Sequence, residues 1–351
     1  MRPTAGPPVR CIELSRHMRR LSVLLLVVVP VALMGASGQR PTAEFRAAPT
    51  FRVATFNIHK GADRPGLYDL DQTIDLIQHL DADLVGVQEV LRNHAGFSCD
   101  DQPALIAEGL RRRTGLPWTY VYAQSWVTED RRCLTRGSGD AVETEGVAFF
   151  TPGRILDSSW VRLSEGRVGL AVRVASMPDV PVIVTHLAAS RQDQAGRTRE
   201  LGKLLPWAAR QGPGLLMGDL NARPDAGELV PVLAQYLDAW ADAAERGDAY
   251  GVLSGSTRPG RRVSRIDYVF YAPNVDLTLE SVEIVDPSTL PGLGGVSDHF
   301  PVVATFRRAQ PVASTSSAAG SGSAQGLTLG LSPGLERGSG PRPATPPDET
   351  R

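Results

Sequence analysis

The sequence is short of several features that would point elsewhere. It has only three cysteines in 351 residues, no cysteine pair at ligand spacing and no HExxH, which counts against a zinc centre. Aromatic residues make up 6%, few stacking platforms for a specialist in single-stranded nucleic acid. No charge of one sign dominates, the formal net charge being −1. No segment repeats with a period of 20–50 residues, as a solenoid would. No apolar run reaches the roughly 20 residues of a spanning helix. With 42% hydrophobic and 21% charged residues, the composition excludes a collagen-like, fully disordered or polytopic membrane protein.

What is present divides the chain unevenly. Arg16, Arg19 and Arg20 precede the uncharged run Leu21–Met34, and Gly35, Ala36, Ser37 and Gly38 follow it. A basic region, an apolar core and a small-residue site form a secretory signal pattern over residues 1–38. An uncleaved N-terminal anchor is the competing reading, and Met18 would be a more typical start for such a signal. Residues 39–50 read as a linker. Residues 309–351 are rich in Ser, Gly, Ala, Pro and Thr without an aromatic; they cannot bury enough apolar surface to offset ordering and read as a disordered tail. One domain remains, residues 51–308.

The ends hold five more Arg than Asp and Glu, so the core carries −6 of the chain's −1. That is not the footprint of bulk nucleic-acid binding, and it suits carboxylates gathered around a metal. Cys11 would leave with the signal, and an even pair in an exported protein favours a Cys99–Cys133 disulfide over two free thiols.

Within the core, β-rich runs alternate with helical ones. Strands are expected at Phe51–Ile58, Leu84–Val87, Trp118–Ala123, Gly146–Phe150, Val168–Val174, Val180–His186, Leu215–Gly218, Ile266–Tyr271, Leu277–Ile284 and Val302–Phe306. Helices are expected at Leu70–Leu80, Ala104–Arg113, Gln192–Gln211 and Glu228–Tyr236, and Phe97–Gly139 reads as a long, irregular surface loop system near the site. Many strands with interspersed helices imply a layered sandwich.

Polar residues fall where strands end: Asn57, Glu89, His186, Asp219 with Asn221, and Asp267. Ser297-Asp298-His299 stands just before the last strand. Singly, each has an ordinary explanation as a turn, an N-cap or a surface ion pair. Together they converge if the strand ends share one sheet edge. Five of them (Asn57, Glu89, Asp219, Asn221, Asp298) offer the oxygen ligands that a hard cation such as Mg²⁺ or Mn²⁺ takes. The two histidines suit proton transfer near neutral pH.

In order, TFNIH (55–59), QEV (88–90), THL (185–187), GDLN (218–221), RIDYVF (265–270) and SDHFPV (297–302) resemble the endonuclease/exonuclease/phosphatase superfamily, the fold of pancreatic deoxyribonuclease. The resemblance spans essentially the whole core. It implies an α+β fold: a four-layer α/β/β/α sandwich of two mixed β-sheets with outer helices and the site at one edge. It makes Glu89 the principal metal ligand with Asn57 beside it, and Asp298 another metal-side carboxylate. Asp219 and Asn221 would handle the attacking water and the phosphate oxygens. His299 would be the general base, oriented by Asp267, and His186 would contact the phosphate and protonate the leaving oxygen. Glu145 is the candidate for a carboxylate lying near His186. One or two ions are both compatible with this set, and so is Asp219 as the base.

The expected activity is metal-dependent phosphoester hydrolysis by an exported monomer with no obligate protein partner. A phosphodiesterase or nuclease is the first reading. Arg92, Arg261 and Arg262 are candidate phosphate contacts, and further Arg clusters (111–113; 131, 132 and 136; 191, 197 and 199) read equally as solvated faces. A phosphatase or sphingomyelinase-like hydrolase is the alternative. A non-catalytic binding module fits less well, because none of the set is missing.

Overall fold

The computed structural model describes residues 50–62, 66–128, 133, 142–189 and 193–308. The expected signal, the tail, Arg131, Arg132, Arg136 and Arg191 lie outside the described residues, as does the expected linker apart from Thr50, which begins a strand.

In chain order the elements are β1 (Thr50–Asn57), α1 (Leu70–His79), β2 (Leu84–Arg92), α2 (Gln102–Thr114), β3 (Thr119–Thr128), β4 (Glu143–Thr151), β5 (Ile155–Ser164), β6 (Arg167–Val174) and β7 (Met177–His186). Then follow α3 (Gln194–Gln211), β8 (Leu215–Asp219), α4 (Val230–Leu233), β9 (Leu237–Asp238), α5 (Ala239–Arg246), β10 (Ala249–Gly251), β11 (Asp267–Tyr271), β12 (Leu277–Ile284) and β13 (Val302–Arg308). They build a seven-stranded sheet in the order β10-β12-β13-β1-β2-β4-β3 and a six-stranded sheet in the order β5-β6-β7-β8-β11-β9. Both are mixed: β1–β2 and β7–β8 run parallel, while β13 and β11 return antiparallel beside β1 and β8.

Strands buried on both faces read as continuous apolar runs, and β1 shows why. Phe51 and Val53 face the core between the sheets, while Ala54 and Phe56 face the layer beyond. Between the sheets, Val53, Leu84 and Phe149 meet Val184, Met217 and Val269. The two sheets approach closely at Gly86, where a Cβ would stand 2.6 Å from Met217 Cε and 2.9 Å from Val184 Cγ2.

Helices α1 and α2 cover the seven-stranded sheet through Ile74, Ile77, Ile106 and Leu110. Asp69 and Asp101 cap their N-termini by accepting from Gln72 N and Ala104 N, satisfying donors the helix leaves free. Helix α3 covers the other sheet through Leu201, Leu204, Leu205 and Ala208. Helix α5 is different from an outer helix: Ala239, Trp240 and Ala243 join the core between the sheets.

Five elements depart from the strands and helices expected. β5, an edge strand, was not expected, because half of its ILDSSWVRLS residues are exposed and only Leu163 is buried, so no apolar run marks it. Helix α5 and the short strands β9 and β10 were also missed. The helix expected over Glu228–Tyr236 is a 3-10 turn at Gly227–Leu229 followed by one turn of α4. Within the segment Phe97–Gly139, the helix expected at Ala104–Arg113 and the strand expected at Trp118–Ala123 are present as α2 and β3.

Cys99 and Cys133 form a disulfide, their Cα atoms 5.6 Å apart and 34 positions apart in the chain. Replacing both with Ser should lower the unfolding free energy by about 3–4 kcal/mol, the chain-entropy value for a loop of this length. Urea unfolding followed by circular dichroism measures this, and an unchanged midpoint would show that other contacts already close the loop.

Candidate active site

The strand directions bring the polar residues together. The C-terminal ends of β1, β2, β7 and β8 and the N-terminal ends of β11 and β13 share one edge of the sandwich. Register does the finer placing: Asp219 is the direct partner of His186 across β7–β8 and of Asp267 across β8–β11. Gly218 permits this alignment with φ 144°, since a Cβ there would lie 1.9 Å from Thr185 O. On β2 a bulge between Val87 and Val90 leaves Glu89 at φ 56°, re-aiming its carboxylate as bulges do beside functional sites.

Asn57 links the two sheets. Its Nδ2 donates to Glu89 Oε1 and to Asp219 Oδ2, each at 3.1 Å, and its Oδ1 accepts from His59 N at 3.0 Å. Expected among the oxygen ligands, Asn57 therefore presents its NH2 group to both carboxylates. Its backbone oxygen accepts from Ser297 Oγ at 2.8 Å, and that hydroxyl accepts from His299 N at 3.1 Å. The loop carrying His299 is thereby tied to β1.

His299 Nδ1 meets Asp267 Oδ1 and Oδ2 at 3.0 and 2.9 Å, which leaves Nε2 facing Asp219 Oδ2 and Asp298 Oδ1, both at 3.8 Å. Burial alone would lower the His299 pKa, but Asp267, Asp219 and Asp298 outweigh it and push it up to about 9. Asp219 moves to about 7 because burial and the charge of Asp267 disfavour its ionised form.

His186 has the opposite surroundings. Arg167 Nη1 lies 3.1 Å from its Nδ1, and Asn221 Nδ2 lies 3.1 Å from its Nε2. The Asn221 NH2 group is fixed by its bond to Leu187 O at 3.1 Å. The guanidinium is a donor, so an imidazolium has no acceptor at Nδ1, while Asp219 Oδ2 lies 3.5 Å from Nε2. Burial and then the Arg167 charge hold the His186 pKa well below its ordinary value. Glu145, expected near His186, faces Glu89 and Lys60, and the Arg167 charge that touches His186 also acts on it. It lies across from Glu89, with Lys60 Nζ 3.9 Å from a carboxylate oxygen of each. Burial, then repulsion from Glu89, raises the Glu145 pKa.

The arginine expectations also change. Arg92 gives its charge to Asp101 at 2.6 Å and lies over the Tyr122 ring, so it is not offered to the centre. Arg261 and Arg262 are exposed between β10 and β11. Arg262 lines a 550 Å³ cavity beside Asn221, and Arg261 does not. Asp298 is paired with Arg258.

Three contributors escaped the sequence reading. Arg167 opens β6, where Gly169 pairs with Thr185, and that register sets its side chain beside His186. Thr257 is fully buried; its Oγ1 accepts from Ile266 N and Asp267 N while its carbonyl accepts from Phe300 N. Lys60 faces the carboxylates of Glu89 and Glu145 and offsets their charge. None carries a periodic or motif signal, since each acts through contacts made only in the folded chain.

Two arrangements present candidate metal donors. Asp219, Asp267 and His299 offer ligand atoms within 4.8 Å of one another, but both Asp267 oxygens are spent on His299. The Glu89 side fits better: its carboxylate is 18% exposed, and Glu89 and Glu145 crowd like charge around the Lys60 ammonium. Hard oxygen donors with surplus negative charge suit a hard divalent cation.

The sequence profile described as the Endonuclease/Exonuclease/phosphatase family matches residues 54–299, and the chain belongs to this family of phosphoester hydrolases. Its fold is similar to that of an endonuclease/exonuclease/phosphatase from Beutenbergia cavernae, at 23% identity, TM-score 0.58, over 74% of this chain and 72% of that one. The human nocturnin catalytic domain with bound sulfate aligns at 20% identity, TM-score 0.53, over 74% of this chain and 94% of that one. A mannosyl-6-phosphatase from Bacteroides thetaiotaomicron aligns at 16% identity, TM-score 0.53, over 73% and 99%. No curated protein matches the chain.

Asp267 raises the His299 pKa, so Asp267→Asn should lower it. In EDTA, histidine NMR titration should show His299 falling from about 9 by roughly 1–3 units, the usual effect of one adjacent charge. An unmoved titration would assign the shift to Asp219 and Asp298.

Proposed function

We propose that this chain is an exported, divalent-metal-dependent phosphodiesterase, with nucleic acid as its leading substrate. The observation that carries the reading is the His299–Asp267 pair aimed at Asp219, with Glu89 beside them across the Asn57 amide. A phosphodiester repels nucleophiles, so its oxygens must be neutralised while a water is deprotonated in line with the leaving group. Glu89 would hold the cation, with Asp298 as a further carboxylate once Arg258 releases it and Asn57 orienting Glu89. When bound, Mg²⁺ or Mn²⁺ supplies positive charge to the phosphate oxygens and lowers the cost of the developing charge.

The chain's own residues do the rest. Near neutral pH His299 holds a proton, and Asp219, only part-ionised, has room for the one the water loses. Asp267 keeps His299 in place and stabilises its charged form. Asn221 and a neutral His186 donate to the phosphate oxygens, and the low basicity of His186 makes it a hydrogen-bond donor rather than a strong acid toward the leaving oxygen. Export rests on the basic and apolar pattern of residues 1–38, and the Cys99–Cys133 disulfide supports an oxidising compartment. No protein partner is implied, and a monomer is expected.

The purified protein should nick plasmid DNA and hydrolyse a generic phosphodiester in Mg²⁺, and lose both activities in EDTA. Turnover of only a phosphomonoester or only sphingomyelin would overturn the diesterase reading, and inactivity on all four would favour a binding module. His299→Ala and Asp219→Ala should each reduce kcat by about 10²–10⁴-fold, the range for losing a proton-transfer group, with an unchanged circular-dichroism spectrum. Near-normal rates would remove that residue from its role.

A further inference from the structure

The centre described above is acidic, but the surface next to it is not. Beside Asn221 opens the 550 Å³ cavity, lined by Arg197, Arg223, Arg258 and Arg262 against only Asp225 and Glu228 as acids. Its arginines differ in what they have left to give. Arg197 is buried and committed to Glu228 at 2.8 Å and to Ala188 O at 3.2 Å, so it shapes the wall. Arg223 shares its charge with Asp225 at 3.3 Å, both side chains being largely exposed. Arg258 is drawn to Asp298 at the edge of the centre. Arg262 is exposed and has no ion-pair partner among the described residues.

Two walls of this cavity belong to the reaction centre. Asn221 touches His186, and Ile266 immediately precedes Asp267. A molecule whose reacting phosphate lies against Asn221 and His186 therefore extends into a space where the charge is reversed. Guanidinium groups bind phosphate with charge-assisted, often bidentate hydrogen bonds. We infer that the cavity binds a second phosphate of the substrate, one sugar away from the phosphate that reacts, with Arg262 as its principal contact and Arg223 assisting.

The inference rests on the phosphodiesterase reading and narrows it to substrates carrying two neighbouring phosphates. It also reconciles that reading with the −6 charge of the core: the attraction for a polyanion is local, not spread over the surface. The second phosphate has two sources, a terminal monoester on a small molecule and the next linkage of a nucleic-acid strand. Both present the same oxygens to Arg262.

The test compares thymidine 5′-(p-nitrophenyl phosphate) with the same ester carrying a 3′-phosphate, and with one extended at the 3′ side by a second thymidine through a diester. The wild-type enzyme in Mg²⁺ should favour at least one of the two extended substrates by about tenfold in kcat/KM, mostly through KM. Preference for the 3′-monoester indicates a small bisphosphate, and preference for the diester indicates a strand. Arg262→Ala should remove most of the advantage and Arg262→Lys should keep part of it. Arg307→Ala, on the remote surface of β13, should leave the ratio intact. Equal kcat/KM on all three esters, or an advantage unchanged in Arg262→Ala, overturns the inference while leaving the phosphodiesterase reading in place. Failure to hydrolyse any of the esters or plasmid DNA overturns that reading and this inference with it.

Discussion

One side-chain amide holds the catalytic edge together. Asn57 belongs to the seven-stranded sheet, yet its NH2 group reaches both Glu89 of that sheet and Asp219 of the other. Two carboxylates facing each other across a sheet boundary would repel, more strongly for the low dielectric around a buried group. A donor placed between them offsets that repulsion without adding a charge. Lys at this position would neutralise the site and compete with a cation. Asp would add a third negative group. An amide meets the requirement, and it is held in orientation by the His59 backbone N–H on its other side.

From that link the two histidines acquire opposite characters. His299 faces carboxylates at both ring nitrogens and becomes more basic despite its burial. His186, about as buried, faces a guanidinium and an amide and becomes less basic. The separation comes from strand register. β8 sits between β7 and β11, so Asp219 stands between the two rings, and the outer neighbour of each ring either opposes the effect of burial or adds to it. That neighbour is Asp267 for His299 and Arg167 for His186. A site with one imidazole ready to carry a proton and one kept neutral can assign proton acceptance and hydrogen-bond donation to different groups.

The fold and the central residues were legible for one physical reason. Strands buried on both faces, such as FRVATF and VIVT, read as apolar runs, and a polar residue ending such a run is conspicuous. Asn57, Glu89, His186, Asp219 and Asp267 all announce themselves in this way. Elements on a polar rim do not: the exposed residues of β5 hide its period, and α5 shows mainly Ala, Asp, Glu and Arg around one tryptophan. Partner assignments were harder still. Glu145 was matched to His186 by its place in the chain; β4 pairs with β2 and delivers Glu145 opposite Leu91, where Glu89 and Lys60 face it and Arg167 acts on both it and His186. Arg167 reaches His186 because β6 lies beside β7, a fact of sheet order that no local spacing encodes.

The same distinction governs how charge should be interpreted here. A net charge is an average over surfaces that act at distances beyond a Debye length, about 10 Å in dilute salt, where screening removes most of it. Within the edge, interactions run over 3–4 Å and are scarcely screened. Acidic groups gathered at Glu89, Glu145, Asp219, Asp267 and Asp298 and basic groups gathered around the neighbouring cavity therefore act over their own short ranges, and they meet where Arg258 pairs with Asp298. A uniformly basic surface would attract phosphate everywhere and draw counter-charge onto the carboxylates that a cation needs. Separating the signs by a few side chains lets one substrate meet both: the reacting phosphate beside the carboxylates, where only a bound cation makes it welcome, and the rest of its charge among the arginines.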